Sequence, residues 1–258
     1  MPDRRDSLRH DVGLVVFLAL LVAVWQAAYS ARLLPGYAFP SPLAVGRRLV
    51  ELARDGSLGA SAKASLVRMV LGFSLSAALG LAIGVSMGMS RLADRLLKSL
   101  FLGVQTLPSV AWVPIALLLF GLSDAAIYFV IVMSSTAAMA IATADGIANT
   151  PPGYVRAART LGVSGVAMGY RVVLPAALPQ VVAGIKLGWT LGWHGVVSAE
   201  LLKSSIGLGF LLYMGRELND AAQVVGIMIV TVGIGLLVDR FVFGWVERSI
   251  RTRWGLER

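Results

Sequence analysis

Polar side chains are sparse in the apolar parts of this chain, and their types limit the chemistry open to it. His194 stands beside Trp193 in one long apolar run, with Lys186 earlier and Glu200 later in the same run. An imidazole buried at that depth can donate a hydrogen bond to an oxyanion, and intramembrane ionisable groups mark function because burying them is expensive. A carboxylate would repel an anion, so Glu200 is expected to pair with Lys203 or to contact a partner protein. Lys186 lies near the start of its run, where a lysine can snorkel to the headgroups. Gln105, Thr106 and Ser109 flank Pro108 in a second run, and Ser134, Ser135 and Thr136 sit together in a third. These neutral groups suit weak, transient contact with a solute. They equally suit bonds to carbonyls one turn back or to neighbouring helices. Trp189 and Trp193 have the same two readings, solute contact or packing.

Nothing catalytic accompanies them. Cysteine is absent, which removes disulfides, iron–sulfur clusters and thiolate metal sites. Two histidines, His10 and His194, are too few for a zinc centre without carboxylate help. There is no carboxylate pair and no nucleophile with a base at hand. No G-x-x-x-x-G-K-[ST] stretch occurs to cradle phosphates, so the chain is not expected to bind ATP.

The elements that position these residues are membrane helices. Of the 258 residues 57% are hydrophobic before glycine is counted and 14% are charged, against about 45–50% and about 25% in soluble domains. Mean hydropathy is +0.78. A helix needs about 20 apolar residues to cross the hydrocarbon, and lipid-exposed irregular backbone is excluded there. The apolar runs predict an all-α integral membrane protein with six transmembrane helices, at about 12–30, 66–90, 99–123, 125–145, 172–200 and 221–246, in one domain covering residues 1–258. The first run is read as an uncleaved helix rather than a signal peptide, because it exceeds a usual h-region and more spans follow.

Lysines and arginines set the orientation. With the N-terminus inside, the inner segments hold thirteen and the outer ones eight, which favours both termini in the cytoplasm. The net charge of +9 follows from this bias and from anionic lipid, and does not call for nucleic acid. "PSPLAVGRRLVELARDGS" after the first span reads as a short amphipathic helix at the interface. Gly80, Gly84 and Gly88, and again Gly184, Gly188 and Gly192, line single helix faces and point to close packing within the chain rather than to a dimer seam. Pro108 and Pro114 interrupt the third span, and Pro175 and Pro179 open the fifth.

Between spans four and five, residues 146–171 are too polar for lipid and too long for a simple connection. Thr150 is expected as N-cap, with Pro151 and Pro152 in the first turn, and "GYVRAARTL" as about two turns of helix ended by Gly162. "SGVAMGYR" then forms a second short helix leading into "VVLPAALP". Small residues permit close approach, and Arg156 and Arg159 supply oriented donors, so this knob is a docking element.

Here the chain resembles the permease subunits of binding-protein-dependent ABC importers. Their cytoplasmic loop has E-A-A, three residues, G, nine residues, I-x-L-P. Ala157 and Ala158 match the alanines, Gly162 the glycine, and Val172 to Pro175 the closing I-x-L-P; Arg156 replaces the glutamate and Val172 the isoleucine. "LPGYAFPSPLAV", "SLVRMVLGF", "LPSVAWVPIALLLFG", "SAELLKSSIGLGFLL" and the terminal "RWGL" are similar to the nitrate/sulfonate/taurine branch. The resemblance implies a type I importer permease fold with cytoplasmic coupling helices, in a bacterial inner membrane. It also implies a homodimer, two ATP-binding cassette subunits that hold the ATP and magnesium, and an extracytoplasmic solute-binding protein. Tyr154, Arg156, Ala157, Ala158, Arg159, Gly162 and Pro175 would then form the ATPase-coupling surface. Gln105, Thr106, Ser109, Ser134, Ser135, Trp193, His194 and Glu200 are the pathway residues expected. The solute implied is a sulfonate, taurine, nitrate or similar anion; a pyrimidine-like compound, or an ATP-independent secondary transporter, are the alternatives.

Overall fold

The computed structural model describes residues 4–32, 35, 38–202 and 206–253; the chain is predominantly helical, with no strand among these residues. Lys203, the expected partner of Glu200, and residues 254–258, which carry most of the terminal motif, lie outside them. Two compact units are distinguishable: residues 1–60 with 211–230, and residues 61–210 with 231–258.

The first unit holds α1 (Arg4–Ser30), α2 (Pro42–Arg54), the end of α10 (Leu208–Glu217) and the start of α11 (Ala221–Val238). The expected amphipathic helix after the first span is α2. Ser41 caps it by accepting from the Ala44 N–H at 3.1 Å, and Pro42 fits the first turn because its missing N–H would be unpaired there anyway. Its buried face, Val45 and Leu52, is completed by Leu49 against Gly226. Arg48 reaches Asp220 at 2.8 Å, the Gln223 side-chain Oε1 at 2.8 Å and Glu51 at 3.0 Å. Gln223 passes the chain on, donating to the Leu211 carbonyl at 2.8 Å.

The second unit is built around α6 (Asp124–Ala148), which packs most extensively against α9 (Leu174–Leu202). Both glycine stripes face it. A Cβ on Gly80 would stand 2.8 Å from Met139 Cβ, and one on Gly84 would stand 2.5 Å from Thr143 Cβ and 2.6 Å from the Ala140 carbonyl. Gly88 of α3 (Ser57–Met89) abuts Ile147, and from α9 Gly184 abuts Ala142 and Gly188 abuts Met139. Without a hydrophobic effect between helices in lipid, van der Waals contact drives their association, and glycine lets the backbones approach.

The spans differ from the six expected in their bounds and in one break. Ser57–Met89, Asp124–Ala148, Gly165–Leu202 and Ala221–Ser249 are long and apolar enough to cross a membrane. The second and fifth therefore begin earlier than the apolar runs alone indicate. The third, expected over 99–123, is α4 (Arg91–Gln105), a 3-10 turn (Ser109–Trp112) and α5 (Val113–Phe120), bent by 100°. Pro108 causes the break, since it lacks an N–H and biases Leu107 away from helical dihedrals. Pro114 does not interrupt; it sits in the first turn of α5, where proline is tolerated. The apolar part of α1, Val16–Ser30, is shorter than a full span.

The polar interval forms α7 (Pro152–Thr160) and a second turn of helix, α8 (Gly165–Met168). The expected N-cap moves by one residue: Pro151 occupies that position without a side-chain bond, and the Thr150 hydroxyl turns back to the Gly146 carbonyl at 3.4 Å. Gly162 ends α7 with φ +81°. Its N–H meets the Arg159 carbonyl at 3.0 Å and the Val163 N–H the Ala158 carbonyl at 2.9 Å, the paired bonds of a Schellman ending. The second short helix is not separate: a π-helical turn, Gly169–Val173, joins it to α9. The wide turn falls just before Pro175, whose ring cannot take the α-helical bond to Arg171. A second such turn, Asp239–Phe243, joins α11 to α12 (Gly244–Arg253).

Candidate functional site

The break in the third span gathers the dispersed polar residues. Gln105 and Thr106 end α4, Pro108 turns the chain, and Ser109 starts the 3-10 turn, so consecutive residues face one space instead of spiralling around a helix. Ser134 reaches that space from α6, and Leu191 and His194 reach it from α9. Together with Val104, Leu107 and Met133 they line a cavity of about 280 Å³. No carboxylate lines it among the described residues. Its polar atoms are hydroxyls, one carboxamide and one imidazole. Thr106 donates to the Gly103 carbonyl at 2.7 Å, Ser134 to the Val130 carbonyl at 2.7 Å, and Ser109 lies 3.4 Å from the Ser198 hydroxyl. Five of the eight expected pathway residues are thus brought together.

The other three are elsewhere. Ser135 is fully buried between α3 and α6, donating to the Ile131 carbonyl and lying 3.3 Å from the Ser76 hydroxyl. Trp193 is 6% exposed and donates to the Thr231 carbonyl at 3.3 Å. It lines a different, more apolar cavity of about 360 Å³ with Trp189, Val232, Leu236 and Asp239; His194 touches both cavities. Trp189 is wedged edge-on between Phe73, at 5.1 Å, and Phe243, at 6.2 Å, which is the packing reading of the two tryptophans.

Glu200 is a structural carboxyl group. It is fully buried, and accepts from the Ser65 hydroxyl at 2.7 Å, Arg68 Nη1 at 2.9 Å and the Gly209 N–H at 3.1 Å. Arg68 extends the node to the Ile206 carbonyl at 2.5 Å and to Asp124 at 3.1 Å, so one guanidinium ties α3, α6, α9 and the segment leading to α10. A buried carboxylate needs such a set of donors because its desolvation is otherwise uncompensated. Arg68, counted in the sequence among the outer charges and quoted within "SLVRMVLGF" but given no role there, is the residue whose part composition missed. Two further cations are also paired. Lys98 meets Asp145, and Lys186, rather than snorkelling freely, bridges Asp239 at 2.9 Å and Glu247 at 3.4 Å.

At the polar knob, Tyr154, Ala157, Leu161, Arg171 and Pro175 line an open groove of about 310 Å³. The two alanines of the motif both line this groove but differ in burial. Ala157 is exposed, whereas Ala158 is 7% exposed and seats α7 on the start of α9. Leu161 and Val166, each 82% exposed, and Tyr154, at 54%, stand out from the knob beside exposed Arg156 and Arg159. Gly162 and Pro175 act through the backbone, one ending α7 and the other opening α9.

The sequence matches the binding-protein-dependent transport system inner membrane component family over residues 76–252. It is 35% identical over 219 residues to a putative aliphatic sulfonates transport permease of Escherichia coli, covering 85% of this chain and 83% of that protein. A nitrate import permease of Synechocystis is 32% identical over 237 residues, covering 88% and 85%. A bicarbonate transport system permease of Synechococcus elongatus is 34% identical over 188 residues, covering 72% and 67%. Among solved structures, an inward facing form of the MetNI methionine ABC transporter aligns with TM-score 0.59 at 16% identity, covering 72% of this chain and 94% of that one, which is a likeness of fold. The chain belongs to the binding-protein-dependent transport system inner membrane components, and is accordingly a multi-pass permease subunit of an ABC importer rather than an enzyme.

Proposed function

We propose that this permease carries a small anionic solute of the sulfonate, taurine or nitrate class through the cavity at the α4 break. The observation that carries the reading is the convergence of Gln105, Thr106, Ser109, Ser134 and His194 on one space with no acidic side chain in its wall. Neutral polar groups in low dielectric hold an anion loosely enough to release it, as a permease fed by a separate binding protein requires. Residues 1–258 act as one transport domain, with both termini in the cytoplasm, and two copies form the pathway.

Two ATPase subunits, which hold the ATP and magnesium, dock on the 146–171 loop. Tyr154, Leu161 and Val166 supply apolar contact, and Arg156 and Arg159 meet acidic or carbonyl groups. ATP-driven closure of the ATPases brings the two loops together and opens the spans outward; hydrolysis resets them. Leu161→Asp and Arg156→Glu test the coupling, since both positions are exposed and the fold does not depend on them. In proteoliposomes with the cognate ATPase and binding protein, each is expected to lower solute uptake about tenfold or more and to weaken ATPase co-purification. Uptake and ATPase retention at the level of the unmodified chain in both variants would overturn the docking assignment.

A further inference from the structure

Resting on the reading of the α4-break cavity as the solute's resting place, we propose that it selects anions that also carry a hydrogen-bond donor over anions whose polar atoms only accept. The direction of two of its hydrogen bonds decides this. Thr106 Oγ1 lies 2.7 Å from the Gly103 carbonyl and Ser134 Oγ 2.7 Å from the Val130 carbonyl. A carbonyl oxygen cannot donate, so each hydroxyl has spent its single proton on its own helix. What Thr106 and Ser134 offer the cavity is lone pairs.

Gln105 and His194 are in the opposite position. Neither side chain forms a hydrogen bond among the described residues, so the carboxamide N–H groups and a ring N–H remain for the solute. The cavity therefore has a donor pair and an acceptor pair, besides Ser109, whose hydroxyl shares a bond with Ser198 and can act either way. The donor pair meets an anionic oxygen of any kind. The acceptor pair is satisfied only by a solute bearing a hydroxyl, an ammonium or another N–H; against an all-acceptor anion, oxygen faces oxygen and two polar atoms go unmatched. A site built to bond a donor discriminates strongly against an analogue that lacks it, because the site's own polar groups are then stranded.

The test uses two sulfonates of nearly equal size, 2-hydroxyethanesulfonate and ethanesulfonate, which differ by one hydroxyl. Each is titrated by saturation-transfer NMR against the full chain with its ATPase subunits in nanodiscs. The hydroxylated member is expected to bind about three- to tenfold more tightly, the range of one hydrogen bond. Ser134→Ala and Thr106→Val, neither of which removes a backbone bond, should bring that ratio toward one by weakening 2-hydroxyethanesulfonate more than ethanesulfonate. Gln105→Ala should weaken both sulfonates alike. A ratio near one in the unmodified chain, or one that survives both hydroxyl deletions while Gln105→Ala still weakens both ligands, overturns the donor requirement and leaves the cavity reading standing. If Gln105→Ala and His194→Ala alter neither affinity, or if neither sulfonate binds, the cavity reading itself fails.

Discussion

Replacing Glu200 by alanine removes the centre of the most heavily bonded node among the described residues. The carboxylate is fully buried and accepts from Ser65, Arg68 and the Gly209 N–H, while the Arg68 side chain is 11% exposed. Deleting one member of a buried pair costs about 3–5 kcal/mol, because the partner keeps its desolvation and loses its compensation. Arg68 retains Asp124 at 3.1 Å, but that carboxylate is 50% exposed, and such pairs contribute only about 0.2–1 kcal/mol. The expected loss for Glu200→Ala is therefore about 3 kcal/mol or more. Asp124→Asn should cost about 1 kcal/mol or less. Replacing Arg68 and Glu200 together by methionine should recover much of the loss, since an apolar pair leaves no stranded charge. Reversible unfolding in mixed detergent–SDS micelles, followed by tryptophan fluorescence and circular dichroism, measures all three. A Glu200→Ala loss below about 1 kcal/mol, or a double replacement as damaging as the two single ones added, would refute the reasoning.

The helix seams and the α2–α3 junction yield two further expectations. Gly84→Leu must push Thr143 and the Ala140 carbonyl aside and should destabilise by about 1–3 kcal/mol or more, whereas Gly103→Leu, with nothing within 4 Å of its added Cβ, should be close to neutral in the same unfolding assay. Asp55, outside the spans, is held below the usual carboxylate range by hydrogen bonds from the Ser57 hydroxyl and N–H, the latter at 2.8 Å. A depressed folded-state pKa contributes stability above the unfolded value and loses it as pH falls through the acid range. Asp55→Asn should accordingly flatten the acid limb of a stability–pH curve while leaving the neutral region little changed.

Helix existence was legible because apolar runs and proline positions act locally. Ser41–Pro42, Gly162 and Pro108 each dictate backbone geometry within a few residues, and each does so here as its type requires. Bounds were less legible: α3 starts at Ser57, ahead of the apolar run, and within that added stretch Ser65 bonds Glu200 instead of facing lipid. The node was not legible at all. Arg68 pairs with Glu200 across 132 residues of sequence and with Asp124 across 56, and no spacing rule links such positions. At the cavity, residue types were readable but their roles were not. Thr106 and Ser134 have the composition of donors, and only the folded helix turns them into acceptors.

The two glycine stripes also decide which parts of the molecule can move. Where α3 and α9 meet α6 through Gly80, Gly84, Gly184 and Gly188, backbone lies against side chain with no glycine rotamer to switch. Repacking there has few alternative arrangements, so the three helices behave as a stiff plate. Any rocking that a partner imposes must be taken up at its margins: the 100° elbow beside Pro108 and the two π-helical turns, where the regular ladder of hydrogen bonds is already interrupted.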